Sequence, residues 1–207
     1  MRATTYSRVE VAERMTAEEF WRDASETHKA ELIDGVMIMP SPASRIHENL
    51  FGFLYSLLRV FVEEHSLGVV LGSRTAVELA IDQVYEPDIL FIRQERSAIN
   101  QEKGVFGAPD FVIEILSMST AQHDRGTKLK AYERAGVREY WIIDPYGPAG
   151  TEFYQLQQGS FLPILPDAEN RLHSSAVEGF VLDVRWLWNT DAITVKQALD
   201  QISDWNQ

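Results

Sequence analysis

Apolar runs of strand length recur along this chain and predict its β-sheet. Several of them are rich in β-branched and aromatic residues, which favour a pleated, half-buried surface. Asp34-Gly35 joins the first two runs and predicts a tight hairpin, because both turn positions tolerate positive φ. The runs span residues 30–33, 36–39, 69–71, 76–81, 88–92, 111–116, 139–144, 152–157 and 161–164.

Two stretches near the amino terminus have helix signals. Thr16 and Glu19 fit a capping box, in which each side chain satisfies a backbone donor, and predict a short helix. Ser44 can cap a long helix, since apolar residues recur at helical spacing up to Phe61. Gly68 is expected to close that helix.

A strand, a helix and a strand follow one another between residues 111 and 144. Asp124, Lys128 and Tyr132 recur at intervals of four in the helical part, so they project from one face. Two strands joined by a helix within about 35 residues predict a right-handed parallel crossover. The pattern favours an α/β fold with an N-terminal hairpin and an edge hairpin over residues 152–164.

Composition limits the class of protein. Of the 207 residues, 45% are hydrophobic and 24% are charged, as in ordinary globular chains. We expect one domain over residues 1–207, with a core over about residues 16–160 and a C-terminal extension over residues 161–207. Apolar runs are too short to span a bilayer and residues 1–5 do not begin a signal peptide, so a cytoplasmic location is expected.

Charge and the absence of cysteine narrow the chemistry. Without cysteine the chain has no disulfides, thiolate zinc sites or cysteine nucleophiles, and its metal ligands would be carboxylates and histidine. A bound metal should then be a hard ion, Mg²⁺ or Mn²⁺. The formal charge of −12 argues against broad adhesion to nucleic acid. A nucleic-acid substrate would need a local basic face or a metal.

Three polar residues are unusual for their surroundings. Glu114 lies within the apolar run at residues 111–116, where an unpaired ionised carboxylate is costly to bury. Asp88 opens another strand, and Lys128 lies on the helix that follows Glu114. Two carboxylates on neighbouring strands and a lysine could hold a divalent ion and polarise a phosphate. The alternative is a structural ion pair of Glu114 with Lys128 or Arg125.

The order of several motifs resembles the Uma-two family of restriction endonucleases, within the PD-(D/E)XK nuclease superfamily. The likeness covers about residues 16–160. It is carried by Glu31-Leu32-Ile33-Asp34-Gly35, Met39-Pro40, His47, the Asp88 strand, Glu114-Ile115-Leu116-Ser117, the spacing of Asp124 to Tyr132, and Ala135-Gly136-Val137-Arg138-Glu139-Tyr140-Trp141.

This resemblance implies a four-stranded mixed sheet flanked by helices and a Mg²⁺-dependent endonuclease that acts on DNA. Asp88 and Glu114 match the two acids of the motif and would bind the metal with the backbone carbonyl of Ile115. The motif places its lysine two residues after the second acid, where this chain has Leu116. Lys128 resembles a lysine that has migrated to the following helix, from which it would orient or activate the attacking water.

Further residues are assigned less directly. Glu31 resembles an additional acid that binds metal or its water, and its alternative is an exposed strand residue before a turn. His47 could contact phosphate, but a satisfied histidine on the helix surface is commoner, and no catalytic role is assigned to it. Lys130 competes with Lys128 for the lysine role, although it points about 200° around the helix.

Two other functions are considered. A serine hydrolase using Ser117, His123 and Asp124 is excluded, because the chain lacks a nucleophile elbow. A nuclease fold that binds DNA or a partner protein without cleavage stays open. We expect a homodimer, since cutting both strands of a duplex suits a twofold pair of sites. The basic residues that could line a DNA-binding face are Arg74, Arg93, Arg96, Lys103, Arg125, Lys128 and Lys130.

Overall fold

A computed structural model describes residues 14–24, 29–39, 41–72, 74–117 and 120–206. Residues 1–5 and Pro40, which the sequence analysis used, lie outside these ranges. The helices are α1 (Ala17–Asp23), α2 (Arg45–Glu64), α3 (Ala121–His123), α4 (Leu129–Ala135) and α5 (Val195–Trp205), and a π-helical turn, Asp124–Lys128, joins α3 to α4. Short 3₁₀ helices cover Gln94–Ile99, Pro148–Gly150 and Val184–Trp188.

The strands confirm most of the predicted runs. β5, β7, β8, β13 and β14 were not among the predicted runs. The strands are β1 (Glu31–Ile33), β2 (Val36–Ile38), β3 (Gly68–Gly72), β4 (Val77–Ala80), β5 (Gln83–Tyr85), β6 (Ile89–Arg93), β7 (Asn100–Gln101), β8 (Gly104–Phe106), β9 (Phe111–Ile115), β10 (Glu139–Ile143), β11 (Glu152–Gln157), β12 (Ser160–Pro163), β13 (Arg171–His173) and β14 (Val181–Asp183).

The central sheet is mixed and has the order β12-β11-β10-β9-β6-β3. β9 and β10 are parallel, as the predicted crossover requires, and β6 is antiparallel to both β9 and β3. β3, β6, β9 and β10 form the four-stranded mixed sheet that the resemblance implied. The predicted hairpin β11–β12 lies at the edge and extends this sheet to six strands.

A second sheet, in the order β2-β1-β5-β4-β8-β7, packs beside the first. Its hairpin β1–β2 turns at Asp34 and Gly35, whose φ angles of 49° and 76° confirm the turn predicted from sequence. α1 begins with the predicted capping box of Thr16 and Glu19. In the described ranges, no helix combines the length and apolarity needed to cross a bilayer.

Alternation along β6 and β9 sorts their side chains onto two faces of the central sheet. Ile89 belongs to a core cluster with α2, whereas Leu90 and Val112 belong to a cluster with α4 and the second sheet. Leu90 pairs with Val112 in the antiparallel register. Two residues further along, the same register places Asp88 opposite Glu114, on the face toward α4.

The segment after residue 160, which was expected to be an extension of the core, supplies part of the main core. Phe180, Leu182, Ala198 and Ile202 are buried in the cluster that contains Phe61 of α2. The core therefore extends to α5, because α2 has apolar residues that the central sheet alone does not cover.

Gly68 was predicted to close α2, and this prediction is wrong. The helix ends at Glu64, and Gly68 is the first residue of β3. Its φ is +152°, and a Cβ atom there would lie 2.1 Å from the carbonyl oxygen of Ile92. The glycine is required by close approach of β3 to β6 and not by the helix end.

Candidate functional site

A cavity of about 290 Å³ lies where β1, β6, β9 and the amino-terminal end of α2 meet. Asp88, Glu114, Lys128 and Glu31, the four residues proposed from sequence, all line it together with Ile115. They come from separate parts of the chain and are almost completely buried. The two motif acids thus lie on one side of the sheet, as the predicted site requires.

Asp88 is held by three hydrogen bonds. Its Oδ2 accepts from the backbone N–H of Ile115 at 2.8 Å and lies 3.2 Å from Nε2 of His47, while Oδ1 accepts from Nζ of Lys29 at 3.2 Å. Burial alone would raise the pKa of Asp88, but the hydrogen bond from His47 and the charge of Lys29 hold this pKa well below its usual range. Asp88 is therefore ionised.

Lys128 is surrounded by carboxylates. Its Nζ lies 2.8 Å from Oε1 of Glu31, 3.0 Å from Oε1 of Glu114 and 3.1 Å from Oδ1 of Asp124. Burial alone would lower the pKa of Lys128, but these three acids raise it well above its usual value. The ammonium is the common counter-ion of acids from β1, β9 and the π-helical turn.

Glu114 is short of positive charge despite this contact. Its Oε1 accepts from Lys128 and, at 3.1 Å, from the hydroxyl group of Tyr132. Burial raises the pKa of Glu114 to about 8; Lys128 opposes this shift, and the neighbouring acids Asp124 and Asp88 add to it. A proton or a further cation at this carboxylate would relieve the strain of burying its charge.

The charge of the cluster suits a divalent cation. The cluster consists of Glu31, Asp88, Glu114, Asp124, Lys29 and Lys128. With all four acids ionised, their four negative charges exceed the two positive charges of the lysines, so the formal balance is −2 with neutral histidine. Carboxylate oxygens are donors that hard divalent ions prefer. As they stand in the described ranges, no three acidic or histidine side chains enclose an ion position, and each acid is paired with a lysine.

The alternative pairing of Glu114 with Arg125 is wrong. Arg125 donates to Oε1 of Glu152 at 2.8 Å and also reaches the carbonyl oxygen of Gly150. Lys130 is exposed on the opposite side of the helix, so of these two competing lysines Lys128 is the one that lines the cavity. Among the residues that could line a basic face, Arg96 donates to Oδ1 of Asp110 at 3.0 Å and Lys128 is buried.

The alternative interpretation of Glu31, as an exposed strand residue, is wrong. It is 3% exposed, and its Oε1 accepts from the backbone N–H of Glu86 at 3.0 Å as well as facing Lys128. The hydrogen bond ties β1 to the segment that carries Asp88. Glu31 therefore connects the second sheet to the central one at the cavity.

Four members of the site were missed or left unassigned by the sequence analysis. Lys29 lies two residues before Glu31, and the period of a strand would have placed both on one face. Asp124 and Tyr132 were predicted to share the face of Lys128, but their contacts in the site were not. His47 is buried and not on the helix surface, as its contact with Asp88 demonstrates.

The fold matches a solved structure. The crystal structure of a "putative nuclease belonging to DUF820" from Anabaena variabilis superposes with a TM-score of 0.69 at 21% identity, over 84% of this chain and 98% of that one. At this identity the likeness shows the fold alone: this chain shares the mixed α/β fold of that protein, in agreement with the restriction-endonuclease-like core that the resemblance implied.

The sequence comparison identifies the family. Residues 17–185 match the Uma2 family, described as "Putative restriction endonuclease", and the chain belongs to this family. The resemblance inferred from the motifs is thus confirmed. A similar protein is the uncharacterized protein sll1609 of Synechocystis sp., which is 25% identical over 131 residues, or 63% of this chain and 74% of that protein.

Proposed function

We propose that this protein is a metal-dependent endonuclease that hydrolyses phosphodiester bonds of DNA. The observation that carries the proposal is the meeting of Asp88 and Glu114 at one cavity, on the same face of neighbouring strands. The description of the Uma2 family supports a nuclease, and a nuclease acts on nucleic acid.

Asp88 and Glu114, with the backbone carbonyl of Ile115, are the proposed ligands of Mg²⁺ or Mn²⁺. The negative balance of the cluster and its oxygen donors support this assignment. A metal bound there would lower the pKa of a water molecule and stabilise the charge that develops on the phosphate.

Lys128 and Glu31 complete the proposed catalytic set. From sequence alone, Lys128 was expected to act on water directly. Its contacts support a positioning role instead, because its ammonium holds the carboxylates of Glu31 and Glu114 in one place. Glu31 in turn accepts a hydrogen bond from the backbone N–H of Glu86. This bond holds the segment that carries Asp88 against β1.

Cleavage of plasmid DNA in Mg²⁺ or Mn²⁺ tests the proposal. We expect the wild type to cleave, and Asp88→Asn and Glu114→Gln to lose activity by about 10²-fold or more. Glu95→Gln changes an exposed acid and should leave the rate unchanged. Equal activity in all variants would reveal a contaminating nuclease.

The same preparation distinguishes the rival function. Binding of duplex DNA without cleavage in either metal would favour a catalytically silent module. We further propose that two copies act together on duplex DNA. Light scattering during gel filtration would show a dimer, and a monomer with full activity on both strands would contradict this part of the proposal.

A further inference from the structure

The ammonium group of Lys128 is surrounded by carboxylates, and it donates a hydrogen bond to Oε1 of Glu114. An ammonium group has three N–H donors, and Nζ of Lys128 has three carboxylate oxygens within 3.1 Å. The side chain is 2% exposed. To contact a substrate, Lys128 would have to break a buried ion pair, which is costly.

Lys29, at the same cavity, is more exposed than Lys128 and has fewer carboxylate partners. Its Nζ lies 3.2 Å from Oδ1 of Asp88, and its side chain is 27% exposed. Within the described part of the chain, Asp88 supplies the one carboxylate at ion-pair distance from Lys29. The ammonium can therefore keep its contact with Asp88 and direct another donor toward a ligand in the cavity.

Charge favours the same assignment. A phosphate that enters a cavity lined by several acids must be met by positive charge. Lys29 and Lys128 both line the cavity, and Lys29 is the one with exposed side-chain surface, so its ammonium can supply this charge. The first turn of α2, with His47 on the cavity wall, adds a smaller partial positive charge.

We infer that Lys29 is the lysine that contacts the substrate, donating from Nζ to a nonbridging oxygen of the scissile phosphate. Lys128 is then the positioning lysine, which holds Glu31 and Glu114. This division of roles rests on the proposed nuclease function. In the motif, the lysine would be expected to contact the phosphate. Here Lys29, which is not part of the motif, makes that contact.

The salt dependence of DNA binding tests the contact without requiring cleavage. Affinity for a short fluorescent DNA duplex is measured in Ca²⁺ at several NaCl concentrations. Each lysine–phosphate contact contributes about one unit to the slope of log affinity against log salt. We expect Lys29→Ala to reduce this slope by about one and Lys29→Arg to restore it. Lys196→Ala, an exposed lysine on α5, should leave it unchanged.

Single-turnover cleavage is measured on the same variants. Lys29→Ala should slow cleavage by about 10²-fold while its affinity for Mn²⁺ is not reduced. Thermal melting verifies that each variant is folded. Lys29 variants with wild-type slope and rate, beside an inactive Asp88→Asn, would overturn the inference and leave the nuclease proposal intact.

A wild type that binds DNA but does not cleave it would overturn the nuclease proposal. The slope of log affinity against log salt concentration would then show by itself whether Lys29 contacts a phosphate. A wild type that does not bind the duplex would overturn both.

Discussion

Replacing Lys128 by methionine removes the only described cation among three buried acids. Methionine nearly preserves the length of the side chain and suits a buried position, so the change tests charge more than volume. The acids of Glu31, Glu114 and Asp124 would remain buried together. We expect the variant to fold less stably and to take up a proton in the folded state.

The size of the effect can be worked from the ordinary pKa of a glutamate, 4.5. Keeping one additional carboxylate protonated costs about 1.4 kcal/mol for each pH unit above that value. At pH 7 the cost is about 3 kcal/mol, and at pH 5 it is under about 1 kcal/mol. The first figure agrees with the roughly 3–5 kcal/mol lost when one partner of a buried ion pair is removed.

Urea unfolding at the two pH values measures this loss. The deficit of Lys128→Met relative to the wild type should shrink by about 2 kcal/mol between pH 7 and pH 5. Lys130→Met is the matched control, because Lys130 is exposed on the same helix and its loss should cost no more than about 0.5 kcal/mol. A deficit that is equal at both pH values would refute the reasoning, since no buried carboxylate would then be taking up the proton.

Three further outcomes are expected. Apparent Mg²⁺ affinity should rise with pH up to about 8, because the metal displaces a proton from Glu114; titration calorimetry that detects no proton release would contradict this. Without metal, stability should fall as pH rises from about 5 to about 8, since folded Glu114 keeps a proton that the unfolded chain has lost. Denaturant titrations of Glu114→Gln should show a smaller fall. Glu139→Ala should cost about 2–4 kcal/mol, because its buried Oε2 accepts from Ser174, Ser175 and Ala176; Mn²⁺ affinity should be unaffected, and a loss of it would place Glu139 in the site.

Features that depend on neighbouring residues could be predicted well. The hairpin at Asp34 follows from two turn residues between apolar runs, and the start of α2 follows from Ser44, whose Oγ accepts from the backbone N–H of His47. The parallel crossover follows from the order of strand, helix and strand. In each case the signal lies within the element that it predicts or at its ends.

The site was predictable only in part. Glu114 stood out because a carboxylate inside an apolar strand needs a partner, and the helical repeat directed Lys128 toward it. Strand periodicity relates Lys29 to Glu31, and His47 was named from the sequence, but neither signal pointed to Asp88. Lys29 and His47 reach Asp88 across 59 and 41 positions of the chain, respectively, and no local pattern reports a contact of that range.

The amino-acid sequence by itself determined the strands and helices, the pairing of a buried acid with a lysine, and the family of the protein. Tertiary structure alone decided which cations contact Asp88 and Glu31. The packing of β1 and α2 against the central sheet brings Lys29 and His47 into contact with Asp88. It also places Glu31 beside Lys128. The physical reason is that periodicity and turn chemistry act over a few residues, whereas the charge balance of a buried site is set by side chains that meet only after the chain has folded.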